Sequence, residues 1–519
     1  MVPVIDSLLL LVAPVGLSTC AVILVAAGAI AYWQYDGRFA TINSPGFWDV
    51  LHVRAKQRFL RDGGSLLLRA LDNGVKVCRV YTHLGWVYLL SADYANQLKN
   101  DPRLSVLKYN RLDFQAQIPG FGPYEEGTND AHILQSYTKT KMTITLGKLG
   151  SIISRNTGRA LSARLGTGED WRTIHLQQTA SSLIAEVAGC LFYGEKIATD
   201  ERVVRTILRY AMSSAIAAPK LHLWPKVLQP IAHWFLPSCR RVRADLREAC
   251  EILMPLIQQK RHTEEASDEA AHGSSTDLFQ YLEHRSKNSP RDPAQLAIML
   301  SMAAIHTTSK ILTHIVYKIC EHPRLIDELR NEIIEVVEVH GWTKASMEKL
   351  RLMDSVMKET LRLLPLVQVA LRRVVCEDVT IKPGLTIPQG SILMVSVVDS
   401  MWDPRNFPNP ENFDPYRFLN LADTSPYWAR VSPFIATSSE TLGFGLGKEA
   451  CPGRFLANLE IKIVLCHLLT KYDIKLLPGP EIHPKLAGFY ISLDPGKILL
   501  RKRPDQAVSI PDLYDMDAD

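Results

Sequence analysis

The order of apolar and polar positions predicts a mainly helical chain with a smaller amount of strand. Apolar residues recur at helical spacing in eight segments. These segments are residues 131–149, 180–192, 200–217, 237–261, 293–321, 323–339, 346–364 and 452–471. Short apolar runs bounded by turn residues predict strands at 75–81, 86–90, 374–381, 391–398 and 489–500, the first two joined by a turn at Gly85. We therefore expect a mainly α fold with minor β structure.

The N-terminal residues contain a long uncharged stretch between Asp6 and Asp36. A bilayer core requires about 20 apolar helical residues, which this stretch exceeds. Aromatic residues stand at its end and basic residues follow it, the order expected at a cytosolic interface. We predict that residues 1–36 form a single-pass anchor in the endoplasmic reticulum membrane and that residues 37–519 form a cytosolic catalytic domain. A buried core helix is the alternative, but such helices seldom run this long without a charge.

Composition narrows the choice of protein class and partner. The chain has 519 residues, 47% hydrophobic and 22% charged, and its 59 Lys and Arg against 54 Asp and Glu leave a net charge of +5. These values exclude a disordered or collagenous chain. No dense basic block favours nucleic acid as a partner. Residues 43–46 are turn-rich, and no comparable linker follows them, so we expect one large domain with the polar segment 262–275 as a surface loop.

One of the nine cysteines lies in a glycine-rich setting that suggests chemistry. No two cysteines form a CxxC pair, so neither a zinc site nor a disulfide framework is predicted. Cys451 follows Gly445 and Gly447 and precedes Gly453, just before a predicted helix. A lone thiolate cannot close a zinc or iron–sulfur site, but it can be the single protein ligand of haem iron. Glycines would let the backbone approach a flat porphyrin, and the helix N-terminus would stabilise the sulfur anion.

Other interpretations of this segment differ in strength. A phosphate-binding loop fails, because the GxxxGK sequence at 443–448 is one residue short and Glu449 stands where Ser or Thr is required. A cysteine nucleophile would need a histidine partner that the sequence cannot place. A buried, inert cysteine is the commonest case. Both of these remain open on the Cys451 segment alone.

The order of motifs along the chain resembles that of the cytochrome P-450 superfamily of haem-thiolate monooxygenases over essentially the full length. The haem signature FxxGxxxCxGxxxA is matched by Phe444, Gly447, Cys451, Gly453 and Ala457. The resemblance implies a P-450 fold behind the N-terminal anchor, with haem b bound by the Cys451 thiolate. It also implies that Phe444, Gly445 and Gly453 lie against the cofactor.

A second pair of motifs supports the same resemblance. The helix motif ExxR is matched by Glu359 and Arg362, and an aromatic-proline-arginine segment is matched at 413–418. Glu359 and Arg362 share a helix face at i, i+3. An isolated pair of this kind is usually a solvated ion pair. The resemblance instead implies a buried carboxylate held between the guanidiniums of Arg362 and Arg417.

Oxygen chemistry is expected on the helix predicted at 293–321. There the sequence AAIHTT at 303–308 aligns with the family's motif of small residues, an acid and a threonine. The resemblance implies that Thr307 hydrogen-bonds dioxygen and holds water that delivers protons. His306 stands in place of the acid, as in fungal members similar to kaurene oxidases, and could relay the proton. A threonine bonded back to the i−4 carbonyl is the structural alternative.

The haem propionates are expected to meet basic residues. Arg373 matches the family spacing for one propionate, and His132 is the candidate for the other, although Ser136 stands where an arginine is usual. Glu449 occupies a position that is generally Arg or His. A carboxylate there would repel a propionate, so the neighbouring Lys448 is expected to compensate.

Substrate and partners follow from the resemblance. It implies O2, an apolar small molecule, and electrons from NADPH through a separate flavoprotein reductase, since the chain lacks a nucleotide-binding fingerprint. Residues 216–237 are apolar, aromatic and rich in proline, which favours a roof dipping into membrane lipid, with core packing as the alternative. We expect pocket walls at 113–124, 301–308, 365–371 and 488–490.

The resemblance implies a reaction that oxidises a terpenoid in fungal secondary metabolism. Two alternatives remain open: a haem-thiolate isomerase or dehydratase without net reductant, and a catalytically silent haem protein.

Overall fold

The description of the fold covers most of the chain. The computed structural model describes residues 39–71, 74–128, 133–166, 168–265, 278–279, 281, 292–382, 384–479 and 482–504. The predicted anchor at 1–36, the candidate propionate ligand His132 and most of the predicted loop at 262–275 lie outside these residues.

Helices dominate the described residues. Those of eight residues or more are α1 Val53–Ala70, α2 Val106–Asp113, α3 Leu146–Leu165, α4 Leu176–Tyr193, α5 Glu201–His222, α6 Pro237–Glu265, α7 Pro293–Glu321, α8 Pro323–His340, α9 Arg351–Leu363 and α10 Arg454–Lys471. Shorter α-helical segments are Ala95–Leu98, Gly122–Gly127, Ile133–Tyr137, Glu195–Ala198, Gln229–Phe235, Lys344–Lys349, Val398–Met401, Arg417–Ala422 and Pro426–Val431. A π-helical turn at Thr138–Met142 and 3₁₀ turns at Ala92–Tyr94, Lys226–Leu228 and Gly447–Glu449 complete the helical structure.

Strands form one larger sheet and several small ones. They are β1 Ala40–Ile42, β2 Val77–Thr82, β3 Gly85–Leu90, β4 Leu104–Ser105, β5 Arg172–His175, β6 Val369–Val375, β7 Val379–Ile381, β8 Leu385–Ile387, β9 Ile392–Ser396, β10 Tyr472–Leu476, β11 Lys485–Ala487, β12 Tyr490–Ser492 and β13 Lys497–Lys502. The larger sheet has the order β1-β2-β3-β9-β6-β4. A second sheet has the order β10-β13-β5, and β7-β8 and β11-β12 are separate antiparallel pairs.

Several predicted elements are confirmed with their local causes. The helix predicted at 293–321 is α7, whose first turn is capped by the Asp292 carboxylate accepting from the backbone N–H of Ala294 and Gln295. Pro293 occupies the first helical position, where its missing N–H costs nothing. The predicted hairpin is β2-β3, and Gly85 takes a φ of 102°, which favours glycine.

Other predicted boundaries were wrong. The helix predicted at 346–364 is interrupted at Leu350, because the Glu332 carboxylate accepts from the backbone N–H of Leu352 and Met353 and so caps a new helix. The strand predicted at 374–381 is the end of β6 and all of β7, which belong to different sheets. The strand predicted at 489–500 likewise divides into β12 and β13. The sequence patterns also missed α1 and β5.

Helix α7 runs through the core and positions the site. It packs against α4, and most of its length is buried. Among the described helices it is the one with the length and apolar content that a membrane span requires, yet 67% of its apolar window is buried inside the protein. Its apolar character is therefore explained by its central position.

Candidate active site

Cys451 lies in a tight loop that ends where α10 begins. The backbone N–H of Cys451 donates to the carbonyl of Phe444 at 2.8 Å. Gly445 and Gly447 have φ values of 74° and 78°, in the left-handed region. A Cβ on Gly447 would lie 2.6 Å from the side-chain oxygen of Asn100. The glycines are therefore needed for the loop to follow this course.

The Cys451 thiol is accessible although protein surrounds it. Cys451 is exposed, and all the described cysteines are free. Burial nevertheless raises the pKa of its thiol, against the opposing effect of the backbone N–H groups of Gly453 and Arg454 and of the Arg454 charge. The free thiol is therefore protonated near neutral pH. A bound metal cation would remove that proton, and the adjacent N–H groups would stabilise the resulting thiolate.

Side chains around the thiol leave room for a flat ligand. Gly453 caps α10, and a Cβ at this position would meet no protein atom within 4 Å. Phe444 is half-buried and makes an edge-to-face contact with Phe434, with ring centroids 5.1 Å apart. The predicted residues Phe444, Gly445 and Gly453 are thus all brought beside Cys451.

One face of α7 is accessible within the core. Ala303 and Thr307, one helical turn apart, are exposed, whereas Met302, Ile305 and Thr308 are buried. The Thr307 hydroxyl donates to the carbonyl of Ala303 at 2.8 Å, which is the back-bonded arrangement considered as the structural alternative. The hydroxyl has only one proton to donate, so in this rotamer it can accept a hydrogen bond from a water molecule, as predicted, but cannot donate to dioxygen.

His306 faces a different part of the protein from Thr307. Successive residues of an α-helix are turned by about 100°, and His306 lines, together with Lys310, a pocket that Ala303 and Thr307 do not line. This back pocket has a volume of about 680 Å³. It is lined by Arg164, His175, Gln177, Gln178, Ser181, Ser182, Glu201, Val204, Arg205, Leu208, Met212, His306, Lys310, Ser492, Leu493, Asp494 and Gly496. Burial, followed by the nearby Lys310, lowers the pKa of His306.

Glu359 is held between two guanidiniums. Its carboxylate accepts from Arg362 at 2.7 and 2.8 Å and from Arg417 at 3.1 Å. Glu359 and Arg362 are fully buried. Arg362 also donates to the carbonyls of Met401 and Pro410, at 2.8 and 2.7 Å. The network therefore fastens α9 to the irregular segment that follows the larger sheet.

Comparison with known proteins agrees with this arrangement. The family described as cytochrome P-450 matches residues 140–501, a range that contains Thr307, the Glu359 network and Cys451. This chain belongs to the cytochrome P-450 family. The family implies a haem-thiolate monooxygenase that uses O2, a small-molecule substrate and a redox partner, with the cysteine as the axial ligand.

Relatives over nearly the full length of this P-450 come from several fungi. The cytochrome P-450 monooxygenase ptmU of Penicillium ochrochloron is 32% identical over 473 residues, which are 90% of this chain and 92% of the relative. The monooxygenase pyr3 of Aspergillus fumigatus is 35% identical over 483 residues, 92% of each chain. The monooxygenase ntnM of Nectria sp is 35% identical over 494 residues, 94% of this chain and 93% of the relative.

The residues expected at the propionates of this P-450 are only partly described. Arg373 on β6 is buried, and its guanidinium donates to the carbonyl of Arg372 at 2.9 Å. Burial lowers its pKa to about 10, with Arg372 acting in the same direction and the Glu449 carboxylate opposing them. Lys448 is exposed, and its backbone N–H donates to the side-chain oxygen of Asn100 at 2.8 Å. The unusual Glu449 therefore acts on the same arginine that is expected to meet a propionate.

A buried network around Asp113 was missed in the sequence. The Asp113 carboxylate contacts His83 at 3.1 Å and accepts from the Tyr109 hydroxyl at 3.0 Å, while Arg372 lies 3.8 Å away. Burial opposes ionisation of Asp113, but His83 and Arg372 outweigh it and lower its pKa to about 2. His222 at the end of α5 contacts the backbone carbonyl of Asp113 at 2.9 Å. The network joins α2, α5, β6 and the β2-β3 turn beside the predicted pocket wall at 113–124.

His83, Asp113 and His222 bring possible metal-ligand atoms within 4.8 Å of one another. Positive charge is already supplied nearby, by Arg372 at Asp113 and by Lys56, whose ammonium donates to the carbonyl of His222 at 2.6 Å. We therefore interpret the cluster as a buried ion-pair and hydrogen-bond network. No local sequence signal could have indicated it, since its members come from separate segments.

Proposed function

We propose that this P-450 oxidises an apolar small molecule, a terpenoid or related natural product of fungal secondary metabolism, with electrons from NADPH delivered by a separate reductase. One observation carries the proposal most directly: Cys451, before the start of α10, and Ala303 and Thr307, on the mostly buried helix α7, are all exposed in the described fold. The relatives named monooxygenases, all fungal, support the reaction type.

Haem bound by the Cys451 thiolate supplies the oxygen-activating chemistry. The protein groups hold and move protons around it. The Thr307 hydroxyl, fixed by its bond to Ala303, can keep a water molecule on the accessible face of α7. His306 can exchange protons with water in the back pocket, because its burial-lowered pKa keeps the ring able to accept one. Arg373 is the proposed partner of one propionate and His132 of the other, and Lys448 is proposed to offset the negative charge of Glu449.

The segments expected to form the substrate pocket support an apolar ligand. The rings of Phe114 and Tyr124 stack with centroids 4.6 Å apart. Segment 365–371 meets segment 488–490 where Val367 pairs with Tyr490. Gly127 at the end of the helical segment Gly122–Gly127 lies so close to Met299 of α7 that a Cβ would approach its side chain to 2.7 Å. These contacts bring aromatic and aliphatic side chains together in the expected segments, and the one at Gly127 lies directly beside α7, as an apolar substrate pocket requires.

Exposed apolar side chains support docking to lipid. They occur in two segments: Phe47, Trp48, Val50 and Leu51, and Trp224, Val227, Leu228, Ile231, Trp234 and Phe235. The second set lies within 216–237, where Val227 is 83% exposed, so core packing does not account for it. The bond between Lys56 of α1 and the His222 carbonyl holds the two segments at neighbouring points of the fold. We propose that both enter the endoplasmic reticulum membrane beside the anchor at 1–36, leaving the body in the cytosol.

The test is to incubate membranes containing the full chain and its reductase with candidate terpenoids and to identify products by mass spectrometry. We expect an oxygenated product that forms only with NADPH and carries one atom from O2. A rearranged product formed without NADPH would indicate the isomerase or dehydratase alternative. A normal haem spectrum with no product from any substrate would indicate a silent haem protein.

A further inference from the structure

The floor of the back pocket combines two nitrogen bases with a set of hydroxyl groups. His306 and Lys310 stand one turn apart on α7, and both are half-buried. Ser309, also on α7, is fully buried, and its hydroxyl accepts from the Ser181 hydroxyl of α4 at 3.3 Å. The Gln177 side chain in turn donates to Ser181 at 3.1 Å. The hydroxyl protons of Ser181 and Ser309 are therefore used within the protein, and His306 and Lys310 are the basic side chains that this part of α7 presents to the pocket.

Lys310 has no carboxylate acting on it in the described part of the chain. Burial alone lowers the pKa of its ammonium, and no acidic group raises it. The nearest charge acting on His306 is Lys310 itself, which lowers the His306 pKa further. A half-buried ammonium without a counter-charge is disfavoured, so an anion bound beside it would be stabilised.

The carboxylates that line the back pocket are committed elsewhere. Glu201 pairs with Arg205 at 3.5 Å, where both side chains are exposed. Asp494 accepts from the backbone N–H of Gly496 at 2.9 Å. Of the remaining bases, Arg164 pairs at 2.9 Å with Glu186 outside the pocket lining, and His175 is exposed. The hydrogen bond to Gly496 does not neutralise Asp494, but no carboxylate pairs with Lys310 itself among the described residues.

We propose that the back pocket binds a small oxyanion, a phosphate or a carboxylate, between Lys310 and His306. The anion would supply the missing counter-charge and accept charge-assisted hydrogen bonds from both side chains. The volume of about 680 Å³ also admits a small organic body attached to the anionic group. Neither Ala303 nor Thr307 lines the back pocket, so the site is distinct from the accessible face proposed to meet the substrate. It does not depend on the proposed function.

Thermal unfolding of the full chain tests the site, with phosphate, acetate and chloride compared at equal ionic strength. We expect phosphate or acetate to raise Tm in a saturable way relative to chloride. A response to phosphate would indicate a phosphate ligand, and a response to acetate would indicate a carboxylate ligand. Lys310→Met should weaken the apparent affinity at least about tenfold, the loss of one hydrogen bond to a charged group. Lys349→Met, which removes an exposed lysine and the same charge, should leave it unchanged. The proposal would be overturned if the anions raised the Tm of Lys310→Met and of the unaltered chain with equal affinity, or if they raised the Tm of neither.

A second measurement needs no variant. Because burial lowers the pKa of Lys310, its amine should react faster with an acylating reagent than an amine of ordinary pKa that is equally accessible. Peptide mass spectrometry should show that whichever of phosphate or acetate raises Tm also slows acylation of Lys310 but not of Lys349. If Lys310 were acylated equally with and without the anion, at concentrations that raise Tm, the anion would bind elsewhere and the proposed site would be wrong.

Discussion

The carboxylate of Glu359 accepts two hydrogen bonds from the guanidinium of Arg362, at 2.7 and 2.8 Å, where neither side chain is accessible to solvent. Replacing Glu359 with Ala would leave the guanidiniums of Arg362 and Arg417 without their shared carboxylate. Loss of one partner from a buried charge pair costs about 3–5 kcal/mol. We therefore expect Glu359→Ala to lower the free energy of unfolding by that amount and to reduce haem content.

Urea unfolding followed by circular dichroism, together with the haem-to-protein ratio, measures the effect of Glu359→Ala. Glu348→Ala is the matched control, because Glu348 is exposed and should change stability by less than about 0.5 kcal/mol. Equal stability of the two variants would show that the buried network does not hold α9 in place.

Cys451 is expected to be the sulfur ligand of haem iron. Its side chain is accessible and lies against the N-terminus of α10. We expect Cys451→Ser to abolish the thiolate band in the spectrum of the reduced carbon monoxide complex, because a hydroxyl does not supply the same electron density. Cys376→Ser, at a half-buried cysteine that follows β6, should leave the band intact. Persistence of the band in Cys451→Ser would exclude Cys451 as the ligand.

Thr307 is expected to couple NADPH use to product formation. We predict that Thr307→Ala keeps its haem but diverts electrons to peroxide, so that product per NADPH falls by about tenfold or more. Thr313→Ala is a close control, since the Thr313 hydroxyl makes the same bond to an i−4 carbonyl, at 2.8 Å, but is fully buried. Parallel measurement of NADPH consumption, peroxide formation and product formation in both variants tests this prediction. Unchanged coupling in Thr307→Ala would remove its assigned role.

Local patterns predicted more of the fold than of the site. The start of α7 could be predicted from Asp292 and Pro293 because a cap depends on adjacent residues alone. Counting along α7 does not separate His306 and Lys310 from Ala303 and Thr307, because the four stand at i, i+3, i+4 and i+7 on one side of the helix, and only the packing of neighbouring elements divides them. Nor could the Asp113 network be predicted, because its contact with the His222 ring joins residues 109 positions apart.

Glu460 on α10 should make stability depend on pH. It is 1% exposed, one of its carboxylate oxygens lacks a hydrogen-bond partner among the described residues, and burial raises its pKa from 4.5 to about 8. Between these values the unfolded chain has released the proton that the folded chain retains, so stability falls as pH rises from about 4.5 to 8. We expect Glu460→Gln to remove this loss and to raise the free energy of unfolding at pH 7 by about 3 kcal/mol.

Urea unfolding of Glu460→Gln and the unaltered chain at pH 5, 6, 7 and 8 measures this difference. The gain in the free energy of unfolding should be small at pH 5 and should grow towards pH 8. The reason is that the Glu460 carboxyl titrates in this range, whereas the glutamine that replaces it does not. Glu348→Gln, at an exposed position, should track the unaltered chain throughout. A gain that is the same at every pH would reflect altered packing and would contradict a raised pKa at Glu460.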